Sequence, residues 1–444
     1  MRFSNDNDKR AGAYVIVFKN KIINNASWII GCKLVQSVLN LIVGMLSARY
    51  LGPSGYGLIS YAASIVAFFV PLMRLGLHAT LVQEITEEPD EEGRKLGTAL
   101  GLNVISSLFC IVAVIVFVFF ANRGEQTTLI VCAIYSVSLL FQATEMVSYW
   151  FQAKLLSKYP SMAMLVSYAA VSAYKIYLLV TTKSVYWFAT VNVIDHCLVS
   201  VILLCIFQKT KKQRMQFRFS LIKKLLSKSK YYILSSMMIV IFQQTDKLML
   251  KIMLDNSATG YYSAAITCAG IFGFVYAAII DSARPEIIRC HKASKEKYKA
   301  SLSALYGVIF YLSLAQCLVM TLLAKPMIWM LYGEDYLPAA MALRICVWYV
   351  TYSYFGAIRN IWILCENKHS FLWVIDVTAA GINVGLNYLL IPAGGICGAA
   401  LDTFASQFLV NFVLGFIYIP LRENNKLLLR GLHPKSLLQL RHLL

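Results

Sequence analysis

Twelve apolar runs of about 20 residues divide this chain of 444 residues, and they leave it few ways to fold. A run of that length crosses a hydrocarbon core of roughly 30 Å as a helix. In lipid a backbone must satisfy its own N–H and C=O groups, so only helices and closed barrels span the core. Barrel strands alternate apolar and polar residues, and these runs do not. They cover approximately residues 26–48, 56–77, 96–120, 128–150, 161–181, 184–207, 231–254, 260–281, 300–323, 338–364, 370–391 and 396–419. The composition agrees, with 59% hydrophobic and only 14% charged residues and a mean hydropathy of +0.63, whereas soluble domains are about a quarter charged. The sequence predicts an all-α polytopic membrane protein.

The net charge of +19 invites a nucleic-acid reading, but the positions of the charges argue for topology instead. With a cytoplasmic amino terminus, thirty of the 41 Lys and Arg fall on inward segments and only Arg49, Arg123, Lys183 and Lys325 on outward ones. That bias is the positive-inside pattern; it places both termini in the cytoplasm and gives no reason to expect a nucleic-acid partner. The chain then divides into an N-terminal segment 1–25, a six-helix bundle 26–207, a basic linker 208–230, a second six-helix bundle 231–419 and a basic tail 420–444. The Lys and Arg of the linker suit anionic headgroups of the inner leaflet, at about 1 kcal/mol each near the surface, and equally suit a solvated loop that only fixes topology. The first 25 residues are polar and the first apolar run is full length, the pattern of a signal anchor rather than of a cleaved leader.

The two halves resemble each other. Leu51-Gly52-Pro53-Ser54-Gly55-Tyr56-Gly57 after the first run corresponds to Leu254-Asp255-Asn256-Ser257-Ala258-Thr259-Gly260-Tyr261 after the seventh, and Val193-Ile194-Asp195 corresponds to Ala400-Leu401-Asp402. Because each half has an even number of spans, the halves share an orientation and form a parallel repeat about an axis along the membrane normal. Such an architecture sets two six-helix bundles around a central cavity.

Seven basic residues lie inside the apolar runs: Lys33, Arg74, Lys175, Lys247, Lys251, Arg344 and Arg359. Each costs about 2.5–3.5 kcal/mol at the centre of a membrane helix, so such residues face a protein interior or a wet cavity. Helical spacing places many polar residues on shared faces: Lys33, Gln36 and Asn40 in the first run, Gln142 and Glu145 in the fourth, Ser172 and Lys175 in the fifth, Gln243, Lys247 and Lys251 in the seventh, Arg344, Trp348 and Arg359 in the tenth, and Asp376, Asn383 and Asn387 in the eleventh. Arg74, Lys251 and Arg359 stand near run ends, where long side chains snorkel to the interface. Lys33, Lys175, Lys247 and Arg344 stand deeper, together with Glu145, Asp195, Asp246 and Asp376. Deep charges of both signs suit a hydrated cavity in which bases hold an anionic group and an acid takes a proton or cation; the same groups also suit pairing across packed helices.

Other chemistry leaves no mark. The chain has no G-x-x-x-x-G-K-[ST] phosphate loop, and its eleven cysteines include no C-x-x-C pair, so neither a zinc site nor a disulfide framework is expected. No catalytic residue, metal or cofactor is expected.

The run Ala48-Arg49-Tyr50-Leu51-Gly52-Pro53-Ser54-Gly55-Tyr56-Gly57, then Asp246-Lys247-Leu248-Met249-Leu250, Gly260-Tyr261-Tyr262-Ser263, Pro285-Glu286-Ile287, Leu331-Tyr332-Gly333-Glu334-Asp335-Tyr336 and Gly395-Ile396-Cys397-Gly398 resembles, in order and spacing, the bacterial polysaccharide repeat-unit flippases of the Wzx (O-antigen transporter) type. These belong to the superfamily of multidrug, oligosaccharidyl-lipid and polysaccharide exporters. The resemblance implies a transporter rather than an enzyme, one that moves an undecaprenyl-pyrophosphate-linked oligosaccharide across the bacterial inner membrane by alternating access. It also implies membrane lipid as surroundings, and a polysaccharide polymerase and chain-length regulator as protein partners. On that reading Lys33, Gln36, Asn40, Lys175, Lys247, Arg344, Trp348 and Arg359 bind pyrophosphate or glycan, and Glu145, Asp195, Asp246 and Asp376 couple an ion or pair charges. Two rivals remain. A multidrug extruder of cationic compounds calls for a cavity dominated by carboxylates. A membrane-embedded polymerase or ligase calls for a large outward loop, and the longest outward connection here is about fourteen residues, from Ala324 to Leu337.

Overall fold

The computed structural model describes residues 4–210 and 213–434; the side chains of residues 4–30, Lys33, Leu34, Ala79, Tyr231 and His369 lie outside the described residues. Among the described residues all regular structure is helical. The chain forms two compact units. Unit 1 comprises residues 1–44 and 69–234, and unit 2 comprises 45–68 and 235–444.

Seven helices are long and apolar enough to cross a membrane among the described residues, and two further pairs, each bent by 45–49°, raise the number to nine. Twelve expected spans become nine for two physical reasons. The first helix, α1 (Ser4–Arg74), runs two expected spans together across Gly52, whose φ of 67° only glycine adopts cheaply. The same happens across Gly395, at φ 57°, between the last two spans. The expected tenth span is the other exception: it is divided into helices of 8 and 17 residues, each short of the roughly 20 that a crossing takes. Each of the twelve expected segments has a helical counterpart.

Unit 1 continues with α2 (Leu77–Glu87), α3 (Glu92–Ala121), the three short helices α4 (Gln126–Ser136), α5 (Ser138–Thr144) and α6 (Val147–Ala153), and then α7 (Lys158–Val180) and α8 (Val185–Thr210). Its core gathers Leu77, Leu81, Leu96, Met146, Phe151, Leu203 and Phe207. The basic linker expected over 208–230 is largely built structure. Residues 213–218 carry no regular secondary structure, and α9 (Phe219–Met253) begins twelve residues earlier than the expected span, bending by 49° between Lys230 and Tyr232. Buried ion pairs fix that early part. Glu84 of α2, 2% exposed, receives Lys95 at 3.1 Å and Lys224 at 3.5 Å and pairs closely with Lys228, while Lys95, 1% exposed, also reaches Glu88 at 2.6 Å.

Unit 2 contains α10 (Asn256–Ala269), α11 (Gly273–Ala293), α12 (Lys295–Tyr332), α13 (Ala339–Cys346), α14 (Tyr349–Cys365), α15 (Leu372–Phe408), a π-helical turn Leu409–Val413, α16 (Leu414–Ile417) and α17 (Arg422–Gly431). Residues 45–68 were assigned by sequence to the first bundle but fold with the second unit. The cause is a backbone-to-backbone crossing of the two repeated strings: a Cβ on Gly57 would stand 1.8 Å from the Asn256 carbonyl oxygen, and one on Gly260 2.0 Å from that of Pro53. Only glycine on both faces permits that approach. The expected free tail after 420 is also packed, up to the limit of the described residues: Tyr306 donates to Asn424 at 2.9 Å, and Leu427 and Leu428 are buried.

Replacing Gly57 or Gly260 by Ala forces two backbones apart, and overpacking of this kind costs about 1–3 kcal/mol or more. The thermal unfolding midpoint of either purified variant is expected to fall clearly below wild type; an unchanged midpoint contradicts the crossing. A second expectation concerns acid. Burial raises the Glu84 carboxyl, but hydrogen bonds from Lys228 and Lys95 and the charge of Lys224 outweigh it and carry it from 4.5 to about 2. A depressed carboxylate contributes stability that is complete above its unfolded value and lost as the pH falls toward the folded one. Midpoints measured from about pH 5 to pH 3 should therefore drop for wild type and drop less for Glu84→Gln; equal slopes contradict the lock.

Candidate functional site

In unit 1 the charges form pairs. Asp195 and His196 sit side by side on α8, and Ser167 of α7 donates to the Asp195 carboxylate at 2.6 Å and to its carbonyl at 2.9 Å. Glu145, at the turn between α5 and α6, lies 2.6 Å from His196 Nδ1 and 3.9 Å from Arg74 Nη2. Arg74, expected to snorkel, is thus drawn to a carboxylate instead. Lys175 is half-buried and within electrostatic reach of Asp195. Gln36 is half-exposed and Asn40 exposed on α1, and the Lys33 side chain lies outside the described residues.

Unit 2 holds a denser arrangement. Asp246 of α9 is 5% exposed and Asp402 of α15 is fully buried. Asn383 and Asn387, one turn apart on α15 and hence on one face, join them. The Asn383 amide donates to Asp246 at 2.9 Å and to Asp402 at 2.6 Å, and the Asn387 amide to both at 2.6 Å. Thr403 donates to the other Asp246 oxygen at 3.0 Å, and Tyr262 of α10 makes a short hydrogen bond to that same oxygen. Three oxygens in this knot, Asn383 Oδ1, Asn387 Oδ1 and Asp402 Oδ1, are buried and have no hydrogen-bond partner. Leaving a buried acceptor unsatisfied costs about 1–3 kcal/mol. Two carboxylates, two amide oxygens and two hydroxyls form an oxygen-rich set whose chemistry fits a proton or a hard cation.

Beside this knot, within unit 2, opens a cavity of about 560 Å³. Its wall takes Gln243, Gln244, Asp246 and Lys247 from α9, Ser353, Arg359 and Asn360 from α14, and Asp376, Thr403, Gln407 and Asn411 from α15 and the π-helical turn. Ser235 donates to Asp376 at 3.0 Å. Arg359 departs from expectation. Its side chain does not snorkel: it is 6% exposed, and its Nη1 donates to the Val410 carbonyl at 3.2 Å. Val410 belongs to the π-helical turn, where the wider hydrogen-bond pattern leaves a carbonyl in need of an outside donor. The Nε of Arg359 is buried and has no partner.

Four sequence-derived candidates therefore line one cavity: Lys247, Arg359, Asp246 and Asp376. Glu145, Asp195 and Lys175 belong to unit 1. Arg344 is exposed and Trp348 packs on the unit 2 core; neither lines the cavity. The helical hydrogen bonds are interrupted between Cys346 and Tyr349, and of the expected stripe only Arg359, beyond the interruption, reaches the cavity wall. Sequence reasoning missed Asp402, Thr403 and Tyr262 as site residues. The match of Val193-Ile194-Asp195 to Ala400-Leu401-Asp402 was the signal for the first.

The profile of the family described as Polysaccharide biosynthesis protein matches residues 22–291. No curated protein matches the chain. Among solved structures the fold is similar to that of the lipid II flippase MurJ in an inward closed conformation, with a TM-score of 0.72 and 15% identity over 94% of this chain and 96% of that one. It is also similar to an inward-facing multidrug resistance MATE family transporter of the MOP superfamily, with a TM-score of 0.67 and 14% identity over 89% and 96% of the two chains. An outward-facing transporter of that family gives 0.60 and 13% over 92% and 96%. At such identities the likeness is one of fold.

Asn387→Leu keeps the volume of the side chain and removes the amide that serves both acids. Its unfolding free energy is expected to fall by about 1–3 kcal/mol, read as a lower thermal midpoint; wild-type stability in this variant contradicts the bridging role.

Proposed function

The chain belongs to the polysaccharide biosynthesis protein family, and from that membership we propose that it is a Wzx-type flippase, carrying an undecaprenyl-pyrophosphate-linked oligosaccharide such as an O-antigen repeat unit from the inner to the outer leaflet of the bacterial inner membrane. That the chain is a multi-pass membrane protein follows from its helices. The observation that carries the substrate class is the cavity of unit 2, a polar chamber walled by helices that are otherwise apolar. A hydrophilic glycan crossing hydrocarbon needs hydrogen-bonding groups along its path, and Gln243, Ser353, Asn360, Gln407 and Asn411 supply amides and hydroxyls there. A pyrophosphate needs cations, which Lys247 and Arg359 offer at the cavity wall; Lys33 and Lys175 are the corresponding proposal for the first unit. The lipid tail stays in the bilayer.

Movement by alternating access needs an energy source, and the proposal assigns it to H+ or Na+. Asp246 and Asp402, with the unpartnered oxygens of Asn383 and Asn387, are the residues that would hold the ion, and its charge would neutralise two carboxylates lacking a basic partner inside the knot. Because Asp246 faces both the knot and the cavity, occupation of one alters the electrostatics of the other. Both termini are placed in the cytoplasm by the charge bias. The multidrug reading shares the fold of the MATE transporters, but the cationic Lys247 and Arg359 in the cavity disfavour a cationic drug.

A charge-assisted hydrogen bond is worth about 1.5–3 kcal/mol, so losing two such contacts lowers transport on the order of 100-fold. Lys33→Ala with Lys247→Ala is expected to abolish surface-polysaccharide export in cells while membrane abundance, followed by immunoblot, stays normal. Full export by that double variant would sink pyrophosphate binding by these lysines.

A further inference from the structure

The linker between the two halves is held in place more firmly than a solvated loop requires. Its irregular part, 213–218, lies along a groove made by Gly93, Gly97 and Gly101, spaced four residues apart on one face of α3. A Cβ on Gly93 would stand 2.5 Å from the Arg214 carbonyl oxygen, one on Gly97 2.7 Å from the Gln216 backbone and one on Gly101 2.6 Å from the Phe217 ring. Such a small-residue stripe ordinarily receives a second membrane helix; here it receives a strap. Gln216 N–H donates to the Gly93 carbonyl at 3.2 Å and Arg218 N–H to Thr98 Oγ1 at 3.0 Å. Behind the strap, Lys224 and Lys228 tie the first turns of α9 to Glu84, and Leu225 and Ser229 are buried beneath them.

Anchoring one side fixes what the other side presents. Arg214, Phe217, Arg218, Phe219 and Lys223 are all exposed. Phe219 is 79% exposed and its ring stands edge-on to that of Phe217 at 5.0 Å. Among the described residues Arg214, Arg218 and Lys223 have no carboxylate partner: of the acids on the adjoining segment Glu84 and Glu88 are engaged by Lys95, Lys224 and Lys228, Glu91 by Arg94 and Glu92 by Lys154, and the exposed Asp90 forms no ion pair with them. Fixing long side chains and leaving aromatic rings in water are both unfavourable. At a membrane surface both become favourable, because aromatic rings settle at headgroup level and bases gain from anionic lipid.

We propose that residues 213–230 form a rigid ridge that docks on anionic phospholipid headgroups of the leaflet that the charge bias assigns to the cytoplasm, with Phe217 and Phe219 entering the headgroup layer and Arg214, Arg218 and Lys223 taking the phosphates. This surface is separate from the cavity of unit 2 and stands whether or not a glycan is the cargo.

The full chain, purified in neutral detergent, tests the ridge by native mass spectrometry with phosphatidylglycerol and phosphatidylcholine in competition. Wild type is expected to prefer phosphatidylglycerol, and the triple variant Arg214→Gln, Arg218→Gln, Lys223→Gln to lose that preference on the order of 100-fold, with an unchanged thermal midpoint in phosphatidylcholine showing intact folding. Should the variant fold poorly, wild type alone decides: its preference must fall as salt rises from 50 to 500 mM. A wild-type preference retained by the folded variant, or one insensitive to salt, overturns the proposal. So does stabilisation of the lipid-free protein by inorganic pyrophosphate that the triple variant loses, which would make the ridge a site for free phosphate.

Discussion

Inside a bilayer no water is at hand to satisfy a polar group, and this constraint explains most of what is unusual in the chain. Where the helices depart from regularity, something inside the protein supplies the missing bond. The π-helical turn Leu409–Val413 is served twice, by Arg359 at the Val410 carbonyl and by Asn425 at the Phe412 carbonyl, 2.7 Å away. Tyr336 donates to the Ala48 carbonyl at 2.8 Å and Arg49 to that of Met330 at 2.9 Å, closing the turn around Gly52 against α12. A basic residue in an apolar run is thus no proof of a ligand. Arg359 has a structural duty through one nitrogen, while the residue lines the cavity and its Nε stays buried without a partner.

The same constraint makes the knot at Asp246 and Asp402 informative. Two buried acids share two amide donors, yet three oxygens stay unpaired. A fold built only for stability would replace such a group by apolar residues at little cost. The unit 1 charges have another character: Glu145 is matched to Arg74 and His196, and Asp195 to Ser167. One unit carries charges in pairs, and the other carries acids whose oxygens exceed the donors around them. That asymmetry is why the proposal of a bound coupling ion names unit 2 rather than unit 1.

Long apolar runs and the period of a helix sufficed to read the class of fold and the segments that cross the membrane, and the resemblance of a few short strings led to the family. Asp246, Lys247 and Asp376 were legible because their own helices stay regular. Arg344 misled because it precedes the interruption at Val347–Trp348, which no glycine or proline announces, while this segment lines the cavity only from Tyr349 onward. The partnership of residues 45–68 with unit 2 was hidden in Gly57 and Gly260, since the two similar strings showed a repeat but not that the repeats touch. Asp402 lay in the repeat yet not on a polar stripe, so periodicity passed over it. The anchoring of the linker needed the three-dimensional encounter of Gly93, Gly97 and Gly101 with a segment more than a hundred residues away.

Movement of a lipid-linked glycan by this protein, as proposed, is open to direct observation. The purified chain reconstituted into sealed vesicles with undecaprenyl-pyrophosphate-linked oligosaccharide allows a direct measurement, the fraction of glycan accessible to an external lectin over time. The account predicts that this fraction rises faster than in protein-free vesicles and faster still when an H+ or Na+ gradient is imposed. Accessibility equal to that of protein-free vesicles under every gradient, with a cationic drug accumulating in the same vesicles, would contradict it.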